Sequence, residues 1–272
     1  MHVRLTFARA GIALRVVLMV LFAGGMAPWL TLQAWDLLPP PWDDHRVAGA
    51  GIARALMIFG LAWVIFPDAR RRTACVQTRK GRLFLPLAIA TTVIMTRVGA
   101  LIATSNTHIL WQGFTWTQLG YLTAFGVGTA VFEEVLFRFV LLDRLAQVVG
   151  TPVAFTIQLS LFTALHLDRG TFEIGQLLHA AFAGGVLSLI YLQTRSLWSV
   201  ISLHFAYNVL SGAVFGIAID GVQLYPMLVA DNFGKAHGRM AAATAFACWA
   251  VFLAIQHSRF SRQPFTAGVA HG

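Results

Sequence analysis

Residues 116–149 read WTQLGYLTAFGVGTAVFEEVLFRFVLLDRLAQVV, and this stretch decides how the rest of the chain is read. It contains no Pro, and Leu136, Phe139, Val140 and Leu142 keep it apolar past its middle, so one helix is expected to run to the Gly150-Thr151-Pro152 turn. Yet Glu133, Glu134 and Arg138 stand inside it. In a membrane helix each ionisable group costs about 2.5 to 3.5 kcal/mol on insertion scales, so each needs a partner or a task.

The surrounding composition makes a bilayer the natural solvent. Of 272 residues, 57% are hydrophobic and 11% are charged, with a mean hydropathy of +0.70. An ordinary soluble domain carries roughly 25% charged residues, so a soluble enzyme is excluded, as are disordered, collagen-like and coiled-coil chains. Spanning helices need about 18 to 25 predominantly apolar residues. Eight windows qualify, near 10–32, 47–66, 83–104, 116–137, 151–167, 173–193, 197–219 and 239–256. The fold class expected is all-α: a polytopic membrane helix bundle of about eight transmembrane helices in a single integral membrane domain over 1–272, with its motif-bearing core at 116–219. The basic residues near the N-terminus raise the possibility of a signal peptide, but a cut after Ala27 would leave Pro28 first, and an uncleaved first span is the better reading.

The net charge of +9 is explained by orientation. With a cytoplasmic N-terminus, Arg4, Arg9, Arg70 to Arg72, Arg79, Lys80, Arg82, Arg144, Arg195, Arg259 and Arg262 fall inside, and only Arg46, Arg169, Lys235 and Arg239 fall outside. Arg15, Arg54, Arg97 and Arg138 lie within spans. Both termini are therefore expected in the cytoplasm, the chain being multi-pass in a bacterial inner membrane. The stretch from Trp35 to Trp42 reads as an outer interfacial loop, and no nucleic-acid partner is expected, because no fold signature accompanies the charge. Cys75 and Cys248 form neither a disulfide framework nor a CxxC site.

Only three glutamates occur, Glu133, Glu134 and Glu173. Glu134 and Arg138, four apart, share a helix face and read as a buried pair. Glu133 is turned about 100° away and lacks a local partner. His166 can supply one. Glu133 is 17 residues before Gly150 and His166 is 16 after it, so in an antiparallel pair both lie roughly 24 Å from the same turn. On the seventh span His204 and Asn208 share a face, next to Tyr207, and read either as a polar clamp between helices or as an oxyanion site. Gln176 and His179 read as interhelical hydrogen bonds, Glu173 as the start of its helix, and Asp168 with Arg169 as loop. Gly212 and Gly216 permit close helix packing.

Taken together, Glu133-Glu134-x-x-x-Arg138, Phe162-x-x-x-His166 and His204-x-x-x-Asn208 resemble the signature of the CPBP family. These are intramembrane proteases that include the CAAX prenyl endopeptidase and the bacteriocin-processing and immunity (Abi) proteins. The motifs occur in the family's order, each on its own expected span, and cover residues 133–208, while the first three spans carry no recognisable motif. The eight spans also look like the CAAX prenyl endopeptidase architecture.

The resemblance implies a glutamate-dependent peptidase. Glu133 and His166 would activate a water, His204 and Asn208 would hold the tetrahedral oxyanion, Glu134 and Arg138 would support the site, and Phe162 would shape the cavity or fix the His166 rotamer. No cofactor is then required. A zinc-dependent version, with Glu133, His166 and His204 as a His₂Glu set, is the alternative, although the HExxH spacing is absent. The implied partner is a membrane-associated protein or peptide substrate presented at the lipid bilayer: a C-terminal sorting tag, a leader or a CAAX-like tail. The Arg-, Ala- and Gly-rich composition of a high-GC bacterium favours a sorting tag or leader over a prenylated end. Two other readings share the same residues: a non-catalytic immunity or regulatory protein, and a proton relay or transporter, against which the lack of an inverted repeat counts.

Overall fold

The computed structural model describes residues 2–27, 46–66, 84–104, 108–109, 116–166, 173–215, 217–219, 222–224, 228–229 and 232–261. Eight helical rods account for nearly all of them. They are α1 (His2–Leu21, prolonged by a π turn at Phe22–Met26), α2 (Arg46–Ile65), α3 (Phe84–Thr104), α4 (Trp116–Glu134), α5 (Thr151–Leu165), α6 (Ile174–Thr194), α7 (Leu197–Phe215) and α8 (Asn232–Ser261). The chain is an all-α, multi-pass bundle. By length and composition five helical segments can cross a membrane: Ala8–Met26, Phe84–Thr104, Ile174–Thr194, Leu197–Phe215 and Lys235–Gln256. Gly49–Ile65 and Thr151–Leu165 are apolar but shorter. The Trp35 to Trp42 loop, Cys75, Gly216 and the Asp168-Arg169 loop lie outside the described residues.

Four strands of two or three residues were not anticipated. β1 (His108–Ile109) pairs antiparallel with β4 (Leu228–Val229), and β2 (Ile217–Ile219) pairs antiparallel with β3 (Val222–Leu224). The last helix-like residues of the expected seventh span thus belong to a hairpin.

Local chemistry sets the helix ends. Gly150 adopts φ +87°, a conformation that a Cβ would strain, and it separates the fourth rod from α5, whose first turn carries Pro152. Arg195 closes α6 in the left-handed region at φ 51°, its N–H donating to the Tyr191 carbonyl at 2.7 Å and its guanidinium to Asp143 at 3.0 Å. Ser196 then opens α7, its Oγ accepting from the Ser199 N–H at 3.3 Å.

The fourth rod is continuous to Val149, as its sequence suggests, but it is not a regular α-helix. Immediately after Glu134 the backbone widens into a π-helix over Val135–Arg144, before a last α turn at Leu145–Val149. All ten π residues are buried. Arg144, read from the sequence as an inner-side charge, packs its guanidinium over the rings of Phe139 and Phe66 at 4.5 and 5.1 Å. Such cation–π contacts suit an arginine withdrawn from water.

In lipid the hydrophobic effect does not drive helices together, so close backbone approach and polar links must do so. The backbones of α2 and α4 approach closely. A Cβ on Gly128 would sit 2.6 Å from the Gly51 carbonyl carbon. Gly184 of α6 similarly admits the Phe162 ring, which a Cβ there would meet at 2.8 Å. Gln158 Nε2 donates to Ser188 Oγ at 2.8 Å, tying α5 to α6.

Candidate active site

The three motifs meet in the middle of the bundle. Glu134 is fully buried, and its Oε1 accepts from Arg138 NH1 at 3.1 Å and from His204 Nδ1 at 2.7 Å. The expected Glu134–Arg138 pair is therefore present and is also the anchor of the second histidine. Arg138 spends its other fork on the Gly184 carbonyl at 3.1 Å. Its guanidinium carbon also lies 4.6 Å from the centre of the Phe162 ring.

Phe162 carries this order onward. Its ring stacks on the His166 imidazole, with centroids 4.3 Å apart and planes inclined by 30°. Arg138, Phe162 and His166 thus form one stack across two helices. His166 caps the end of α5. Its Nδ1–H donates to the Phe162 carbonyl at 2.7 Å, which leaves Nε2 pointing at the glutamate, and its own carbonyl accepts from Gln176 Nε2 at 2.7 Å.

Glu133 Oε2 lies 3.6 Å from His166 Nε2 and 3.9 Å from His204 Nε2. The matching height expected from counting residues about Gly150 is realised. Both gaps exceed a direct hydrogen bond but are too short to hold a water between the atoms, so a water shared by them would sit beside the line that joins them. Oε2 is buried and has no hydrogen-bond partner among the described residues. A buried carboxylate oxygen left open is unusual, since burial without compensation is expensive.

His166, His204 and Asn208 line a cavity of about 160 Å³ together with Phe162, Tyr207 and Phe246. Asn208, one turn beyond His204, makes no hydrogen bond among the described residues. His179 Nε2 and the Tyr207 hydroxyl share a hydrogen bond of 2.7 Å, the interhelical link expected of His179, but both residues also line this cavity. Their rings and that of Phe246 form a triangle with centroids 5.4 to 5.6 Å apart. Sequence reasoning gave Tyr207 and Phe246 no role. Tyr207 was detectable as a polar group in a span, whereas Phe246 is one of 21 phenylalanines and nothing local distinguishes it.

Glu133 itself faces a second cavity, of about 170 Å³, on the α2 side of α4. Gly51, Arg54, Phe125, Gly128, Thr129 and Phe132 complete its wall. Glu133 lines this second cavity, whereas His166 and His204 line the first. Among the described residues no set of three His, Cys, Asp or Glu side chains has the arrangement of a metal site.

Residues 115–210 match the family model described as type II CAAX prenyl endopeptidase Rce1-like, which supports membership of the CPBP family. No curated protein matches the chain. The matched segment runs from the start of α4 to the end of the His204 motif, the part of the chain that builds the Glu–His cluster. Over that segment the chain is similar to CAAX-type intramembrane proteases.

Proposed function

We propose that the chain is an endopeptidase that hydrolyses a peptide bond in a membrane-presented protein or peptide tail, with Glu133 and His166 activating the water. The observation that carries this reading is the open Glu133 Oε2 within one water of both His166 and His204. The water's proton goes to the carboxylate as its oxygen attacks the peptide carbonyl, forming a tetrahedral oxyanion. Collapse breaks the C–N bond, and the proton passes to the leaving amine, with His166 Nε2 as the relay.

His204 and Asn208 serve as the oxyanion donors. His204 Nδ1–H is committed to Glu134, so Nε2 donates only when the ring carries its second proton. Two carboxylates, one imidazolium and the Arg138 guanidinium then sum to zero charge. Asn208 offers an uncommitted amide on the same helix face. Removing one such donor typically lowers the rate by about 10² to 10³-fold.

The substrate is a C-terminal sorting tag, leader or CAAX-like tail, and the basic-residue asymmetry supports cytoplasmic termini in a bacterial inner membrane. The test compares shortening of a tail-bearing reporter in cells expressing wild-type or Glu133→Gln protein at matched membrane levels. Loss of processing in the variant is expected. Equal processing by both would overturn the reading.

A further inference from the structure

We infer that the cavity between α2 and α4 is an anion subsite, in which Arg54 receives a carboxylate of the bound peptide. The inference rests on the proposed peptidase activity only for the identity of the ligand as a peptide. The guanidinium itself is the starting point. Arg54 sits in an apolar helix, where an unpartnered cation is costly. Two other arginines within helices are provided for: Arg138 by Glu134 and the Gly184 carbonyl, and Arg97 by Ser211 Oγ at 3.5 Å and the face of Phe215 at 3.9 Å. Arg54 has one hydrogen bond, from Nε to the carbonyl of Ala50 in its own helix at 3.3 Å. Its remaining N–H groups have no acceptor among the described residues.

The surroundings define what could fill that role. The wall of the cavity is neutral apart from Arg54 and Glu133, and no ion pair joins the two. At Gly51 and Gly128 the two helices touch backbone to backbone, which closes that edge of the cavity. A planar guanidinium with free N–H groups is matched by a carboxylate, which it holds through two parallel hydrogen bonds. Because Glu133 shares the wall, a peptide anchored at Arg54 would lie beside that carboxylate. The peptide's own carboxylate is the chain terminus or an Asp or Glu side chain.

The test uses full-length Glu133→Gln protein in phosphatidylcholine nanodiscs, so that binding is read without cleavage. Three dansyl tetrapeptides of apolar sequence serve as probes: a free acid, its C-terminal amide, and an amide bearing one Asp. The free acid, the Asp-bearing amide or both are expected to bind about tenfold or more tightly than the plain amide, and which one does so identifies the source. Adding Arg54→Gln should remove the advantage, while Arg54→Lys should keep part of it and controls for folding. An advantage that survives Arg54→Gln, or no advantage at all, overturns the subsite. So does native mass spectrometry in which Arg54→Gln changes only retention of phosphatidylglycerol, which would give the site to a lipid headgroup. Cleavage by the wild type without carboxylate preference would sink the subsite alone, and carboxylate binding without Glu133-dependent cleavage would sink the peptidase alone.

Discussion

His204 Nδ1 and Glu134 Oε1 lie 2.7 Å apart, and this contact locks the seventh helix to the fourth at the level of the cluster. It holds the imidazole so that Nε2 faces Glu133. We predict that Glu134→Gln, which removes the charge but keeps the shape, lowers the turnover of a processed tail by about 10 to 100-fold, the worth of one hydrogen bond to a charged group. Glu134→Ala should do more. It strands the buried Arg138 and is expected to destabilise the fold by about 3 to 5 kcal/mol, read as a loss of folded protein in detergent. Unchanged kinetics in Glu134→Gln would show that His204 is placed by packing alone.

Gly184 offers a test that leaves every polar group in place. A Cβ there meets Phe162 Cδ1 at 2.8 Å and Leu159 Cδ1 at 3.0 Å, so the ring must move, and the His166 imidazole stacked on it moves as well. We predict that Gly184→Ala reduces turnover on the order of 10²-fold, the usual penalty for a displacement of about 1 Å at a reacting group. The melting temperature should fall much less. Equal activity in variant and wild type would mean that Phe162 does not position His166.

The α2–α4 crossing predicts an asymmetry between two glycines. Gly128→Ala drives its methyl into the Gly51 backbone, which cannot rotate away, whereas a Cβ on Gly51 finds its nearest atom, Gly128 Cα, at 4.0 Å. Gly128→Ala is expected to destabilise the protein by about 1 to 3 kcal/mol, as overpacking does, and Gly51→Ala by little. Thermal unfolding of both variants in one detergent checks this, and similar melting temperatures would contradict the close crossing.

Metal dependence separates the two chemistries compatible with Glu133, His166 and His204. We predict that processing by purified protein survives 1,10-phenanthroline and EDTA, and that added zinc gives no stimulation. Activity abolished by chelation and restored by zinc would replace the carboxylate-activated water with a metal-bound one.

Much of this arrangement was legible because membranes make polar residues conspicuous. The eight rods followed from apolar run length, and the meeting of Glu133 with His166 followed from equal counts about Gly150. What escaped were features whose signal is steric. Gly51 and Gly128, whose backbones meet, lie on different helices with no spacing to relate them. Gln176 was seen as a polar link, yet its partner is the His166 backbone carbonyl, which no residue type announces. The π-helix left no trace at all, since Val135–Arg144 is as good an α-helix by composition as its neighbours.

That widened segment acts as a phase shift in the most buried rod. Upstream, Glu133 and Glu134 are addressed to the two histidines. Downstream, Asp143 is addressed to Arg195 and Arg144 to the rings of Phe66 and Phe139. Straightening Val135–Arg144 into a regular α-helix of the same length would rotate everything beyond it relative to Glu133 and Glu134 and send both anchors to the wrong neighbours. The irregularity is thus a frame correction, and the chain tolerates it because one straight α-helix cannot serve both sets of addresses.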